Sequence, residues 1–310
     1  MRHSILFALF LALLSSCAPQ GEPTQNTTEP EKISIVCTTG MLADLAKDVA
    51  GDFAEVTSLM GPGVDPHLYK ASQGDLKQLQ SADLIIYNGL HLEAKLGTIL
   101  EKMAERPDKK VVAAAEAIDA SQLIESDEEG EAYDPHVWMD VALWKETIDP
   151  MAQAIIELMP SKKGAIEANA NNKRSLLEEL DRKVRNEVNT IPDEKRIMIT
   201  AHDAFSYFGR AYDVEVMGLQ GVSTLSEAGL KDVTRMVDLI IERDIRAIFV
   251  ETIVSDRSMQ SVIAGCKEKG HEVSLESALF SDAMGAENTP EGTYEGMVLH
   301  NVNLLVQALK

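Results

Sequence analysis

From residue 33 onward, short runs of β-branched and apolar residues alternate with longer stretches whose apolar positions recur at helical spacing. In the first half this pattern predicts strands over 33–37, 54–60, 83–87 and 110–113. It predicts helices over 41–50, 73–81, 92–104 and 141–158. In the second half the predicted strands are 196–200, 214–219, 246–251 and 272–275, and the helices are 204–212, 227–243, 258–269 and 291–309. Strands alternating with helices in this way make βαβ units, so the expected class is α/β with parallel sheets.

A different pattern separates the halves. Between Pro160 and Pro192, Ile166, Ala170, Leu177, Leu180, Val184 and Val188 form one apolar stripe, and the remaining positions are mostly Lys, Glu, Asn, Asp and Arg. Read as one helix, the stretch reaches about 45 Å at 1.5 Å per residue, enough to run the height of two lobes. The alternative is two shorter helices broken near residues 169–172. The expected organisation is therefore an α/β lobe over 33–160, a spanning helix over 161–191 and a second α/β lobe over 192–310. A stiff connection of that kind favours a small closure over a wide one.

The first 32 residues follow neither pattern. Arg2 precedes an unbroken apolar run from Ile5 to Leu14, and Ser15 and Ser16 are small residues at a cleavage position. The run falls short of the roughly 20 residues a spanning helix needs, so residues 1–17 read as a secretory signal. Leu14-Ser15-Ser16-Cys17 is similar to the lipobox of bacterial lipoproteins, which implies acylation at Cys17 and a lipid anchor. Residues 18–32 are polar and rich in Pro, Thr and Glu, and read as a flexible tether.

Charge narrows the partners. With 29 Lys+Arg against 50 Asp+Glu the net charge is −21, which repels nucleic acid and anionic lipid surfaces and attracts cations. Beyond the N-terminal run no apolar segment suggests a membrane span, so an integral transporter is excluded. Three cysteines are too few for a disulfide scaffold. Cys37 and Cys266 fall in opposite halves and are expected as free buried thiols. The acidic run 125–131 reads first as a solvated loop, and second as a weak collector of cations.

Of seven histidines, three share a setting. His67 follows the second strand in GPGVDPHLY, His136 follows the acidic loop in DPHVWMD, and His202 follows a strand in TAHD. Ligand sites in open α/β sheets form beyond the carboxyl ends of strands. Asp282, past the last strand, supplies a fourth group. Three imidazoles and one carboxylate suit a divalent first-row metal, Zn²⁺ as a tetrahedron or Mn²⁺ if the carboxylate binds through both oxygens. Asp65 and Asp134, each two residues before a histidine, are either acceptors for ligand N–H groups or turn formers. His91, His271 and His300 read as solvent-facing or locally satisfied. A catalytic zinc keeps one position open for water, whereas Asp282 would fill it, so binding is favoured over turnover. A secreted metallohydrolase built on the same histidines is the alternative.

Taken together, GPGVDPHLY (61–69), NGLHLEAK (88–95), DPHVWMD (134–140), TAHDAFSYFG (200–209), GLQGVSTLSE (218–227), FVE (249–251) and LFSDAMG (279–285) resemble the TroA-like metal-specific substrate-binding lipoproteins of bacterial ABC importers. The resemblance implies two lobes, each with a four-stranded parallel sheet flanked by helices, joined by one long helix with the metal in the cleft. It places metal ligands at His67, His136, His202 and Asp282, and an acidic residue near the site at Glu251. It implies Mn²⁺ or Zn²⁺ as cargo, with Mn²⁺ favoured and Fe²⁺ open, and a monomer that serves an ABC permease and its ATPase. Some manganese or iron binders carry Glu where this chain has His202, and zinc-specialised members carry a His-rich loop where this one is acidic. An adhesin role has been attached to some members, though no residue here specifies a receptor.

Overall fold

The structure, a computed structural model, describes residues 30–127 and 132–310. The signal with Cys17, residues 18–29 of the tether and residues 128–131 of the acidic run lie outside the described residues. Among the described residues no helix is long and apolar enough to cross a membrane.

In the first half β1 (Ile33–Cys37), β2 (Ala54–Ser58), β3 (Leu84–Tyr87) and β4 (Lys110–Ala113) form one parallel sheet in the order β2-β1-β3-β4. The central strands read ISIVC and LIIY, almost wholly buried, because helices cover both faces of the sheet. On one face α1 (Gly40–Ala50) packs Met41, Leu42, Leu45 and Val49 into the main core. The other face meets α2 (Gln73–Ser81) and α3 (Ala94–Ala104) through Leu79, Leu96 and Leu100. A capping box starts α2: Ser72 Oγ accepts from the Asp75 N–H at 3.2 Å, and the Ser72 N–H donates to Asp75 Oδ2 at 2.6 Å.

The expected helix over 141–158 is broken into α4 (Val141–Trp144), a 3₁₀ turn and α5 (Ile148–Leu158). Pro150 explains the break, since it has no N–H to continue an α-helical ladder and fits only the first turn of a new helix. The long polar segment is one unbroken helix, α6 (Lys163–Val188), of 26 residues. Its buried face is the sequence stripe plus Lys173, whose Nζ donates to Asp48 Oδ2 at 2.5 Å.

The second half holds β5 (Ile197–Thr200), α7 (Ser206–Tyr212), β6 (Glu215–Gly218), α8 (Leu230–Glu242), β7 (Ala247–Glu251), α9 (Arg257–Glu268), β8 (Ser274–Leu279) and α10 (Tyr294–Leu309). Its four strands carry their ladders in two parallel pairs, β5-β6 and β7-β8, with β5 lying beside β7. β8 lies further along the chain than the expected 272–275, and a register irregularity opposite Phe249–Glu251 accompanies it. One apolar core runs through both halves: α1, α5, α6, α7 and α10 all contribute, from Ile33 to Leu309. Smaller clusters fill the outer side of each lobe. Cys37 and Cys266 are buried free thiols in separate clusters.

Candidate metal centre

Parallel strands put their carboxyl ends on one side, and the loops leaving those ends carry the chemistry. His67 lies in the loop after β2, which turns at Gly63 with φ +71 and is tied to α2 by the Tyr69 hydroxyl donating to Asp75 Oδ2 at 2.9 Å. That φ suits glycine, since a side chain there would strain the turn. His136 enters through a Pro135 turn, whose carbonyl accepts from Asn88 Nδ2 at 3.1 Å. His202 lies two residues past β5, and Asp282 three past β8.

These four side chains converge. Each is at most 3% exposed. His67 Nε2 is 3.4 Å from His136 Nε2 and 3.3 Å from Asp282 Oδ2. His136 Nε2 is 3.4 Å from Asp282 Oδ1, and His202 Nε2 is 3.4 Å from Asp282 Oδ2. All four residues offer a donor within 4.8 Å of the others, and a tetrahedron whose edges matched the 3.4 Å pairs would hold an ion about 2.1 Å from each corner, within the range of zinc–nitrogen and zinc–oxygen bonds. Both Asp282 oxygens face imidazoles, so a bidentate carboxylate, which suits Mn²⁺, is equally open to the geometry. Neither oxygen finds a hydrogen-bond donor, and His202 Nε2 is likewise without a partner. Buried polar atoms left this way are costly, and a cation among them would remove the cost. Among the described residues this is the one such group of His, Cys, Asp and Glu side chains.

Carboxylates stand behind two of the rings. Asp134 Oδ1 lies 2.7 Å from His136 Nδ1 and accepts from the His136 backbone N–H at 2.9 Å. Glu251, at the end of β7, accepts the His202 backbone N–H at 2.9 Å on Oε1 and pairs Oε2 with His202 Nδ1. A neutral imidazole that donates Nδ1–H backward leaves Nε2 bare toward the centre. Asp65 differs: it accepts the backbone N–H of His67 at 2.9 Å, as a turn-forming Asp does, and the Thr224 hydroxyl at 2.6 Å.

The buried charges reinforce one another. Burial alone would lower the His136 imidazolium, but Asp282 and Asp134 outweigh it and raise the group to about 10. For His202, burial is likewise outweighed by Glu251 and Asp282, and the shift is upward. Burial would raise Asp282, yet His202 and His136 hold it well below the usual carboxylate range. Without an ion the surrounding carboxylates therefore favour the protonated forms of His136 and His202, protons that a metal would displace. Asp282, Asp134 and Glu251 supply three negative charges, so a divalent ion leaves the ensemble at −3 + 2 = −1.

Other histidines stay apart. His91 is exposed at φ +64, and His271 Nε2 meets the Ile245 carbonyl at 2.7 Å. His300 packs on Phe280, ring centroids 4.9 Å apart, with Nε2 3.3 Å from the Ala278 carbonyl. Sequence reasoning missed the residues that brace the site. Trp138 packs against His136 at 5.2 Å between centroids and donates Nε1–H to the Ser281 carbonyl at 2.9 Å, joining the His136 turn to the Asp282 loop. The Tyr207 hydroxyl donates to the Asp134 carbonyl at 2.8 Å, and the Tyr294 hydroxyl to the Trp138 carbonyl at 2.7 Å. The available signal was the Trp inside DPHVWMD.

Comparison with known proteins gives a consistent picture. Residues 35–308 match the family described as ZnuA, zinc-uptake complex component A, periplasmic. The chain is 46% identical over 307 residues to the manganese-binding lipoprotein MntA of Bacillus subtilis, covering 99% of this chain and 98% of that protein. It is 44% identical over 275 residues to the zinc-binding protein TroA of Treponema pallidum, covering 89% and 88%. The solved structure of that periplasmic zinc-binding protein superposes with a TM-score of 0.86, over 90% of this chain and 99% of the other. Fe(III)-bound YtgA of Chlamydia trachomatis superposes at 0.81 with 27% identity, over 90% and 98%.

Proposed function

This chain belongs to the family of periplasmic zinc-uptake components, and on that premise we propose that it captures Mn²⁺ or Zn²⁺ outside the cytoplasmic membrane and delivers the ion to an ABC importer. The ion is cargo, held by His67, His136, His202 and Asp282, with Asp134 and Glu251 orienting two imidazoles and Asp65 fixing the His67 turn. Fe²⁺ is a third candidate. In this reading Cys17 carries the lipid anchor, residues 18–32 tether a monomer to the membrane, and the lobes 33–160 and 192–310 close on either side of the 161–191 helix before docking on the permease and its ATPase.

The observation that carries the proposal is the set of four buried donors within 4.8 Å of one another, the Asp282 oxygens 3.3–3.4 Å from all three imidazoles and without any other partner. Asp282 takes the corner that a hydrolytic metal centre would leave to water, so retention is favoured over turnover. Affinity ordering in vitro follows the donor set, and Zn²⁺ is expected to bind more tightly than Mn²⁺ whichever is the physiological cargo.

Calorimetric titration of metal-free protein tests this. One tight site per chain is expected, severely weakened in His67→Ala and in Asp282→Ala and intact in His91→Ala. Unchanged affinity in both ligand variants overturns the assignment.

A further inference from the structure

The four ligand side chains are sealed from solvent, so an ion must reach them through the surrounding structure. Two cavities adjoin the cluster. The one that touches Asp282 has mixed charge, with Lys47 beside Asp44 and Glu287. The other, about 500 Å³, lies between residues 124–127 with Asp134 on one side and the loops after β5 and β6 on the other. It is strongly acidic, and its carboxylates are graded by depth. Glu125, Asp127 and Glu227 are exposed at the rim, Asp203 is half-buried, and Asp134 is 1% exposed in the wall. The lone cation lining it, Arg235, is paired with Asp232 at 3.6 Å.

The deep residues connect directly to the metal centre. Asp134 holds the His136 ring at 2.7 Å through Oδ1, and Asp203 immediately follows His202. Asp134 Oδ2 is buried and has no hydrogen-bond partner. Asp203 Oδ1 accepts from the Ser206 hydroxyl at 2.8 Å. A carboxylate oxygen buried without a donor is expensive, and one in the wall of an acidic cavity is best satisfied by a cation or its coordinated water.

We propose that this cavity is a second, weaker divalent-cation site, in which a partly hydrated ion waits on the carboxylates of Asp134, Asp203 and the rim before passing to the buried ligands. This inference rests on the metal-capture function above and adds a capture step to it. Oxygen donors and retained water suit hard ions such as Mn²⁺, and the absence of imidazole keeps the affinity low. A cleft lined by one sign of charge also concentrates the ion locally and speeds its arrival, an effect of ten-fold or more that falls with ionic strength.

The test uses the full chain with its tight site first filled with Zn²⁺, then titrated with Mn²⁺ and followed by the electron paramagnetic resonance of free Mn²⁺. One additional Mn²⁺ per chain is expected, and the Glu125→Gln/Asp127→Asn/Glu227→Gln variant should bind it about ten-fold more weakly. In stopped-flow mixing at low salt, the same variant should load its tight site about ten-fold more slowly, with unchanged tight-site stoichiometry and dissociation rate. A control variant, Asp52→Asn/Glu101→Gln/Glu105→Gln, removes the same charge from exposed positions elsewhere and should behave as the wild type. No weak Mn²⁺, or equal losses in both triple variants, overturns the inference while the tight site stands. Loss of the tight site in the wild type would instead remove the function it rests on.

Discussion

The Thr224 hydroxyl donates to Asp65 Oδ2 at 2.6 Å, and the same carboxylate accepts the His67 backbone N–H at 2.9 Å on its other oxygen. A loop of the second lobe is thereby fastened to the turn that presents His67 in the first. One hydrogen bond contributes about 1 kcal/mol net, which is roughly a five-fold change in a rate. Thr224→Val keeps the shape and removes the donor, so it should release metal about five-fold faster when mixed with a chelator. An unchanged release rate would show that this contact does not hold the lobes together.

Glu251 orients His202 from behind through both its oxygens. Loss of such a partner typically costs 10–100-fold in metal affinity. Glu251→Gln should therefore weaken binding about ten-fold in chelator competition, and Asp134→Asn should do so through His136. Wild-type affinity in both variants would remove these carboxylates from the site's working parts.

The metal-free protein should lose stability as pH rises. His136 is raised from 6.5 to about 10 in the folded state, so across that window the folded chain holds more protons than the unfolded one. The contribution is complete below about pH 6.5 and declines toward pH 10. Asp282, held low, contributes above the ordinary carboxylate range and fails only as pH falls through its folded value. Metal replaces the imidazole protons, so the gap in melting temperature between loaded and metal-free protein should widen from pH 6 to pH 8.5. A gap that narrows over that range contradicts the proton-for-metal exchange.

Glu93 is a structural counterpart to these groups. Buried at the ends of β1 and β3, it accepts the Thr38 hydroxyl at 2.8 Å and the N–H groups of Asn88 and Gly89 at 2.6 and 3.2 Å. Burial pushes its carboxyl up to about 7. The turn it holds contains Gly89, Leu90 and His91 at positive φ. Glu93→Ala should cost about 2–4 kcal/mol in denaturant unfolding, with Glu93→Gln milder. Tight-site stoichiometry of the folded variant should remain one, because the hydrogen bonds of Glu93 go to Thr38, Asn88 and Gly89 and to none of the four proposed ligands.

Alternation of apolar runs and helical stripes was enough to place every strand and nearly every helix, because each element carries its own periodicity. The stripe on α6 matched its buried face except at Lys173, whose burial depends on an acidic partner from α1 that no local pattern reveals. Pro150 broke a helix that apolar spacing alone had joined. The two-by-two pairing of the second lobe's strands, and the shift of β8, depend on which strand lies beside which.

The sequence by itself determined the α/β class, the long connecting helix and the grouping of three histidines with one aspartate, since strand ends and Asp-Pro-His turns are local features. Tertiary structure decided the rest: the convergence of the four donors within 4.8 Å, the Glu251 carboxylate behind the His202 ring, the Trp138 brace and the Thr224–Asp65 fastening. Those depend on distances between residues far apart along the chain, which only the packing of one lobe against the other sets.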